Sequence, residues 1–103
     1  LKPGLLVELL NAVTGWNLAI KDFLSTGERI FNLARMFNVR EGITGKDDQL
    51  PSRFEEVLKE GGSAGESYPK KELEKLLDEY YKLRGWTPDG IPTSETMKRL
   101  GLD

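Results

Sequence analysis

The chain has 103 residues, no cysteine and no histidine, 15 basic against 17 acidic side chains, and 38% hydrophobic residues, which is the size and composition of one small globular domain. Without a thiol or an imidazole, this stretch can supply no structural zinc site, no thiolate-held iron–sulfur cluster, no disulfide and no nucleophile–histidine triad. A net charge of −2 gives no field to attract a phosphate backbone, and no apolar run approaches the ~20 residues of a membrane span, so neither nucleic acid nor membrane is expected as a partner.

Residues 5 to 13 read as a short helix ending at Gly15 and Trp16. Apolar side chains at 5, 6, 7, 9, 10, 12 and 13 surround nearly its whole circumference, so Leu5, Leu6, Leu9 and Leu10 are expected to face a partner surface. The start at Leu1 rather than Met, followed almost at once by these residues, suggests a piece of something longer. Residues 20 to 38 carry the strongest helical periodicity, with Ile20, Phe23, Leu24, Gly27, Ile30, Phe31, Ala34 and Phe37 on one apolar stripe. Asp22 supplies half of a capping box whose other half is Ala19, with Asn17 as a substitute cap. Gly27, on the stripe, suggests close approach of another helix.

From Asn38 to Arg53 the pattern becomes turn chemistry, with Gly42, Gly45, Asp47, Asp48 and then Pro51 opening a short helix to about Lys59. The glycines and serines of 61 to 67 predict a flexible surface loop. Pro69 opens a second well-specified helix to Arg84, with Leu73, Leu76, Leu77, Tyr80 and Leu83 or Arg84 inside and Gly85 as its stop. Pro88-Asp89-Gly90 is a turn, and Thr93 or Ser94 caps a last helix carrying Met97 and Leu100 up to Gly101. No alternating strand appears. The expected architecture is therefore all-α, a compact irregular bundle of about four to five helices in a single domain over 1–103 with no substantial sheet.

Asp47 and Asp48, with Glu41 nearby, invite a cation or acid–base reading, but their spacing lacks the alternating ligands of a calcium loop, and adjacent acids beside Gly and Pro suit turns and caps better. Gly42-Ile43-Thr44-Gly45-Lys46 fails as a phosphate loop on spacing, and Asp47 would repel phosphate. Arginine suits bidentate bonding to carboxylate, so Arg40 or Arg53 paired with Asp47, Asp48 or Glu41 is expected to pin the 40s loop. Trp16, Trp86, Tyr80 and Tyr81 are expected to act as core anchors.

Five separated strings, LLNAVTGWN (9–17), GERIFNLARMFNVREG (27–42), DDQLPSRF (47–54), LDEYYKLRGW (77–86) and DGIPTSETMKRLGL (89–102), resemble in order the C-terminal region of the tungsten-containing aldehyde ferredoxin oxidoreductase family. The resemblance implies a cytoplasmic enzyme that converts aldehydes to carboxylic acids at tungsten held by paired pterin dithiolenes, passing electrons through a [4Fe–4S] cluster to ferredoxin. It also implies that the cluster cysteines and pterin motifs lie upstream, so that no catalytic, cofactor or metal residue falls in this stretch. The piece would be structural and inactive alone, with the remainder of the parent enzyme as its partner and self-association when isolated. The loop from Arg40 to Arg53 is then where a contribution to the parent's active-site approach or domain interface is expected. The competing reading is an autonomous helical interaction module that docks a partner through its apolar N-terminal helix.

Overall fold

The computed structural model describes Lys2 to Asp103; the start at Leu1 lies outside these residues. Four α-helices follow one another: α1 (Pro3–Thr14), α2 (Ile20–Arg40), α3 (Lys70–Arg84) and α4 (Ser94–Leu100). Single 3-10 turns at Gly45–Asp47 and Ser52–Glu55 occupy the connection between α2 and α3. Among the described residues there is no strand, only an isolated antiparallel bridge between Trp86 and Pro92. The all-α class follows the sequence pattern, and no helix is long and apolar enough to cross a membrane.

Local chemistry sets the helix ends. Pro3 at the first turn costs no hydrogen bond, and Gly15 closes α1 in the left-handed region with its N–H donating to the Asn11 carbonyl. The Asn11 side chain then clamps the turn into α2, donating to the Leu18 carbonyl and accepting from the Leu18 N–H, both at 3.0 Å. At the start of α2 only the acidic half of the capping box forms: the Ala19 N–H donates to the Asp22 carboxylate at 3.2 Å. Ala19, not Asn17, occupies the cap position. Thr93 caps α4, its hydroxyl accepting from the Thr96 N–H.

The helix expected from Pro51 to Lys59 shortens to one 3-10 turn. Its continuation is prevented because the backbone of the next residues is claimed from across the loop: Leu58 N–H donates to Glu66 at 2.9 Å, Gly65 N–H to Leu58 at 2.8 Å, and Tyr68 N–H to Phe54 at 2.7 Å. Glu56 is accordingly extended.

Trp86 is the centre of the packed region. Phe31 and Tyr81 stack on it with centroids 5.9 Å away, and Tyr80 meets it edge-on at 5.8 Å. Tyr81, Trp86, Met97 and Leu100 are buried there, and Val7 is buried on α1. Three expectations fail. Trp16 is 60% exposed rather than a core anchor. On α3, Leu73, Leu77, Tyr80 and Arg84 are half-buried as expected, but Leu76 and Leu83 are exposed and Tyr81 is the buried residue, because Tyr81 is drawn to Trp86 and to a carboxylate described below. Gly27 has no helix against it, since a Cβ there would meet nothing within 4 Å. The molecule measures 54 × 35 × 21 Å with a radius of gyration of 18.3 Å, against about 13 Å for a typical 100-residue domain; α2 packs on α1 and α4, and much of its apolar stripe is left exposed.

Asn32 is fully buried. Its amide oxygen accepts the Trp86 indole N–H at 2.8 Å and its amide nitrogen donates to the Glu28 carbonyl at 2.9 Å. Asn32→Ala leaves the indole donor unpaired and should cost roughly 1–3 kcal/mol; urea denaturation followed by tryptophan fluorescence checks this against the wild-type chain.

Candidate functional site

Polar side chains line one face of α2 at i, i+4 and i+7: Glu28, Asn32 and Arg35. Arg35 grips the 40s loop. Its Nη1 and Nη2 donate to the two carboxylate oxygens of Asp48 at 3.0 and 2.6 Å, and its Nε donates to the Gly90 carbonyl at 2.8 Å. The guanidinium also lies 4.9 Å from the Trp86 ring centroid. From α3, the Tyr81 hydroxyl donates to the same Asp48 carboxylate at 2.6 Å. Two helices distant in sequence, α2 and α3, thus converge on one carboxylate of the 40s loop.

The backbone is shaped to permit this. Gly90 has φ +72°, and a Cβ there would run into the Arg35 guanidinium. The Gly45 N–H donates to the Asp89 carbonyl at 2.7 Å, so the 40s loop and the 88–90 turn are joined by backbone as well as by Arg35.

The Arg35 hydrogen bonds lower the Asp48 pKa, overcoming the opposing effect of burial, and the Tyr81 bond adds to the lowering. The Arg35 pKa is raised, chiefly by the same bond to Asp48. Burial, followed by the bond to Asp48, pushes the Tyr81 phenol up to about 12. Asp48 is therefore an ionised acceptor paired with Arg35, and Tyr81 a fixed donor, near neutral pH, and neither is poised to exchange protons with a substrate. A second ion pair ties α2 to α4, with Arg99 donating twice to Glu28 at 2.6 and 3.1 Å. The Arg99 bond lowers the Glu28 pKa.

The expected pinning residues are only partly those found. Asp48 is the anchor, but its arginine is Arg35; Arg40 lies 3.5 Å from exposed Glu41, with its guanidinium over Phe37. Arg53 rests over its neighbour Phe54. Neither reaches Asp47 or Asp48 because Arg40 is on the last turn of α2, beyond the turn that faces the loop, and Arg53 is directed along its own 3-10 turn. Asp47 serves as a cap, accepting the Thr44 N–H at 2.8 Å. Leu5, Leu6 and Leu9 are exposed and Leu10 is half-buried. The Glu28–Asn32–Arg35 polar stripe was the overlooked signal, since a polar row at helical spacing beside an apolar one marks a second packed face. A cleft of about 430 Å³ opens beside Asp48 and Tyr81, lined also by Leu50, Phe54, Leu73 and Leu77.

These residues supply no protein ligand set for the metals that the resemblance implies. The sequence has no cysteine or histidine, and among the described residues no three carboxylates come together as a metal-holding group. A [4Fe–4S] cluster in particular finds no thiolate here. The fold and this cluster define a helical region locked by a half-buried arginine–carboxylate–tyrosine latch.

Residues 1–102 match the family model described as aldehyde ferredoxin oxidoreductase, domains 2 and 3. Tungsten-containing aldehyde ferredoxin oxidoreductases of Pyrococcus furiosus and Pyrococcus horikoshii are 45% and 46% identical over 92% and 93% of this chain. The WOR-like subunit of an aliphatic sulfonate oxidoreductase from Pyrococcus furiosus is 31% identical over 98% of it. Among solved structures, the active-site complex BamBC of benzoyl coenzyme A reductase with 1,5-dienoyl-CoA superposes with a TM-score of 0.72 at 34% identity, covering 93% of this chain and 13% of that one. The chain belongs to the aldehyde ferredoxin oxidoreductase family. It spans 16% of the length of the tungsten-containing relatives.

Asp48 carries a depressed pKa in the folded state, so the latch contributes its full stability above the ordinary carboxylate range and loses it as pH falls through the unfolded and then the folded value. Asp48→Asn should cost roughly 1–3 kcal/mol at pH 7, because Arg35 loses its charged acceptor. The difference from wild type should shrink below about pH 4, as read by thermal unfolding across a pH series.

Proposed function

We propose that this chain is a helical structural region of a longer cytoplasmic aldehyde ferredoxin oxidoreductase that oxidises aldehydes to carboxylic acids and delivers the electrons through an iron–sulfur cluster to ferredoxin. In the parent family that oxidation is supplied by a tungsten–bispterin centre, whose ligands belong to other parts of the polypeptide. The observation that carries the reading is the match of residues 1–102 to the family's domains 2 and 3. Within the region, Arg35, Asp48 and Tyr81 hold the 40s loop in one geometry, so that Arg40 to Arg53 presents a fixed edge to the remainder of the enzyme. Leu5, Leu6 and Leu9 are exposed and take their cover from that remainder.

Metal analysis and an aldehyde-dependent dye-reduction assay on the purified chain test the structural role. Neither bound metal nor turnover is expected; stoichiometric tungsten, molybdenum or iron, or measurable turnover, defeats it.

The exposed Leu5, Leu6 and Leu9 also favour a second reading, an autonomous module that docks a partner helix through α1. The genomic DNA upstream separates the two. A Met start close to Leu1 supports the module, while an upstream reading frame with a Cys-x-x-x-Cys-x-x-Cys-like motif excludes it. Under either reading the isolated chain should self-associate through α1; light scattering that returned a strict monomer with an ordered N-terminus would contradict this.

A further inference from the structure

Ile20, Leu24, Gly27 and Phe31 recur at i, i+4, i+7 and i+11 on α2 and form one stripe along the helix. All four are exposed. Gly27 sits in the middle of a 21-residue helix, where glycine lowers the helix-forming equilibrium about fivefold relative to alanine. Nothing among the described residues explains it: Gly27 has no positive φ, and a Cβ built on it would meet no atom within 4 Å. The stripe continues past Phe31 to Ala34, seven residues beyond Gly27, and there enters a groove of about 330 Å³ between α2 and α3 lined by Asn38, Leu77 and Tyr80. A small residue flanked by large apolar ones is what allows two helix backbones to approach closely.

We propose that this stripe is the seat of an apolar α-helix from the remainder of the longer polypeptide, crossing α2 at Gly27. The proposal rests on the family reading above, and the occupant follows from length. The matched relatives carry about six times as much chain as this one, which covers 16% of them, so most of the polypeptide is available to cover the stripe. A missing Cβ on an apolar helix stripe suits the close approach of a second helix backbone.

The test introduces Gly27→Ala and Gly27→Leu into both the 103-residue chain and the longer polypeptide that contains it. In the 103-residue chain the alanine variant meets open space and should raise Tm by roughly 4–8 °C. In the longer polypeptide the same change should lower Tm, and the leucine variant should lower it further and remove hydrogen-exchange protection across residues 24–31. A rise in both proteins, or a fall in both, overturns the seat. So does a dimer of the 103-residue chain that Gly27→Leu dissociates while the longer polypeptide is unaffected, because the occupant would then be a second copy. If the short chain does not fold alone, exchange protection of 24–31 in the longer polypeptide decides: slow exchange lost in Gly27→Leu supports the seat, and fast exchange in the wild type overturns it. The metal content of the longer polypeptide reports separately on the family reading.

Discussion

One polar row on α2 organises the tertiary structure. Glu28, Asn32 and Arg35 each bind a residue more than ten positions away: Arg99 on α4, the indole of Trp86, and Asp48 in the 40s loop. Each reaches a different segment, so the row fixes α4, the turn after α3 and the loop after α2 relative to a single helix. The aromatic packing on Trp86 depends on it, since Asn32 holds the indole N–H and Arg35 lies over the ring.

A core of this kind differs from one held by apolar packing alone. A hydrophobic contact tolerates small shifts, whereas a bidentate arginine–carboxylate pair and a buried amide have defined directions and lose heavily when misaligned. None of the buried side-chain polar atoms among the described residues lacks a partner, so the network stabilises one arrangement. Much of the apolar surface meanwhile points outward, with Leu9, Val13, Trp16, Leu24 and Ile30 all exposed. For a chain that spans 16% of its relatives, a polar lock inside and apolar faces outside suit a region that holds its own shape while offering surface to more polypeptide.

Much of the helix plan was legible because its signals are local. Pro69 marks a beginning, Gly15, Gly85 and Gly101 adopt the left-handed stops that end three helices, and the 3.6-residue period of α2 runs nearly its full length. The segment after Pro51 misled for an equally physical reason, since its propensity favours helix but residues 65–68 offer its backbone other partners. Asp48 could be picked out as a loop anchor from its turn chemistry. Its arginine could not, because Arg40 and Arg53 are nearer along the chain, and only the rotation of α2 decides that Arg35 faces the loop. Tyr80 and Tyr81 are adjacent and chemically alike, so which one is buried depends on where Trp86 sits.

The sequence by itself determined the all-α class, the positions of α1 to α4, the absence of thiol and imidazole chemistry, and the family, because propensity, capping, composition and motif strings are properties of the chain read in order. Only the tertiary structure decided that Arg35, Asp48 and Tyr81 form the latch, that Trp86 rather than Trp16 is the anchor, and that Gly27 faces open space. Those outcomes depend on which face each helix turns toward segments many residues away, and that orientation is set by directional hydrogen bonds formed when the helices pack, not by the local pattern that makes them helices.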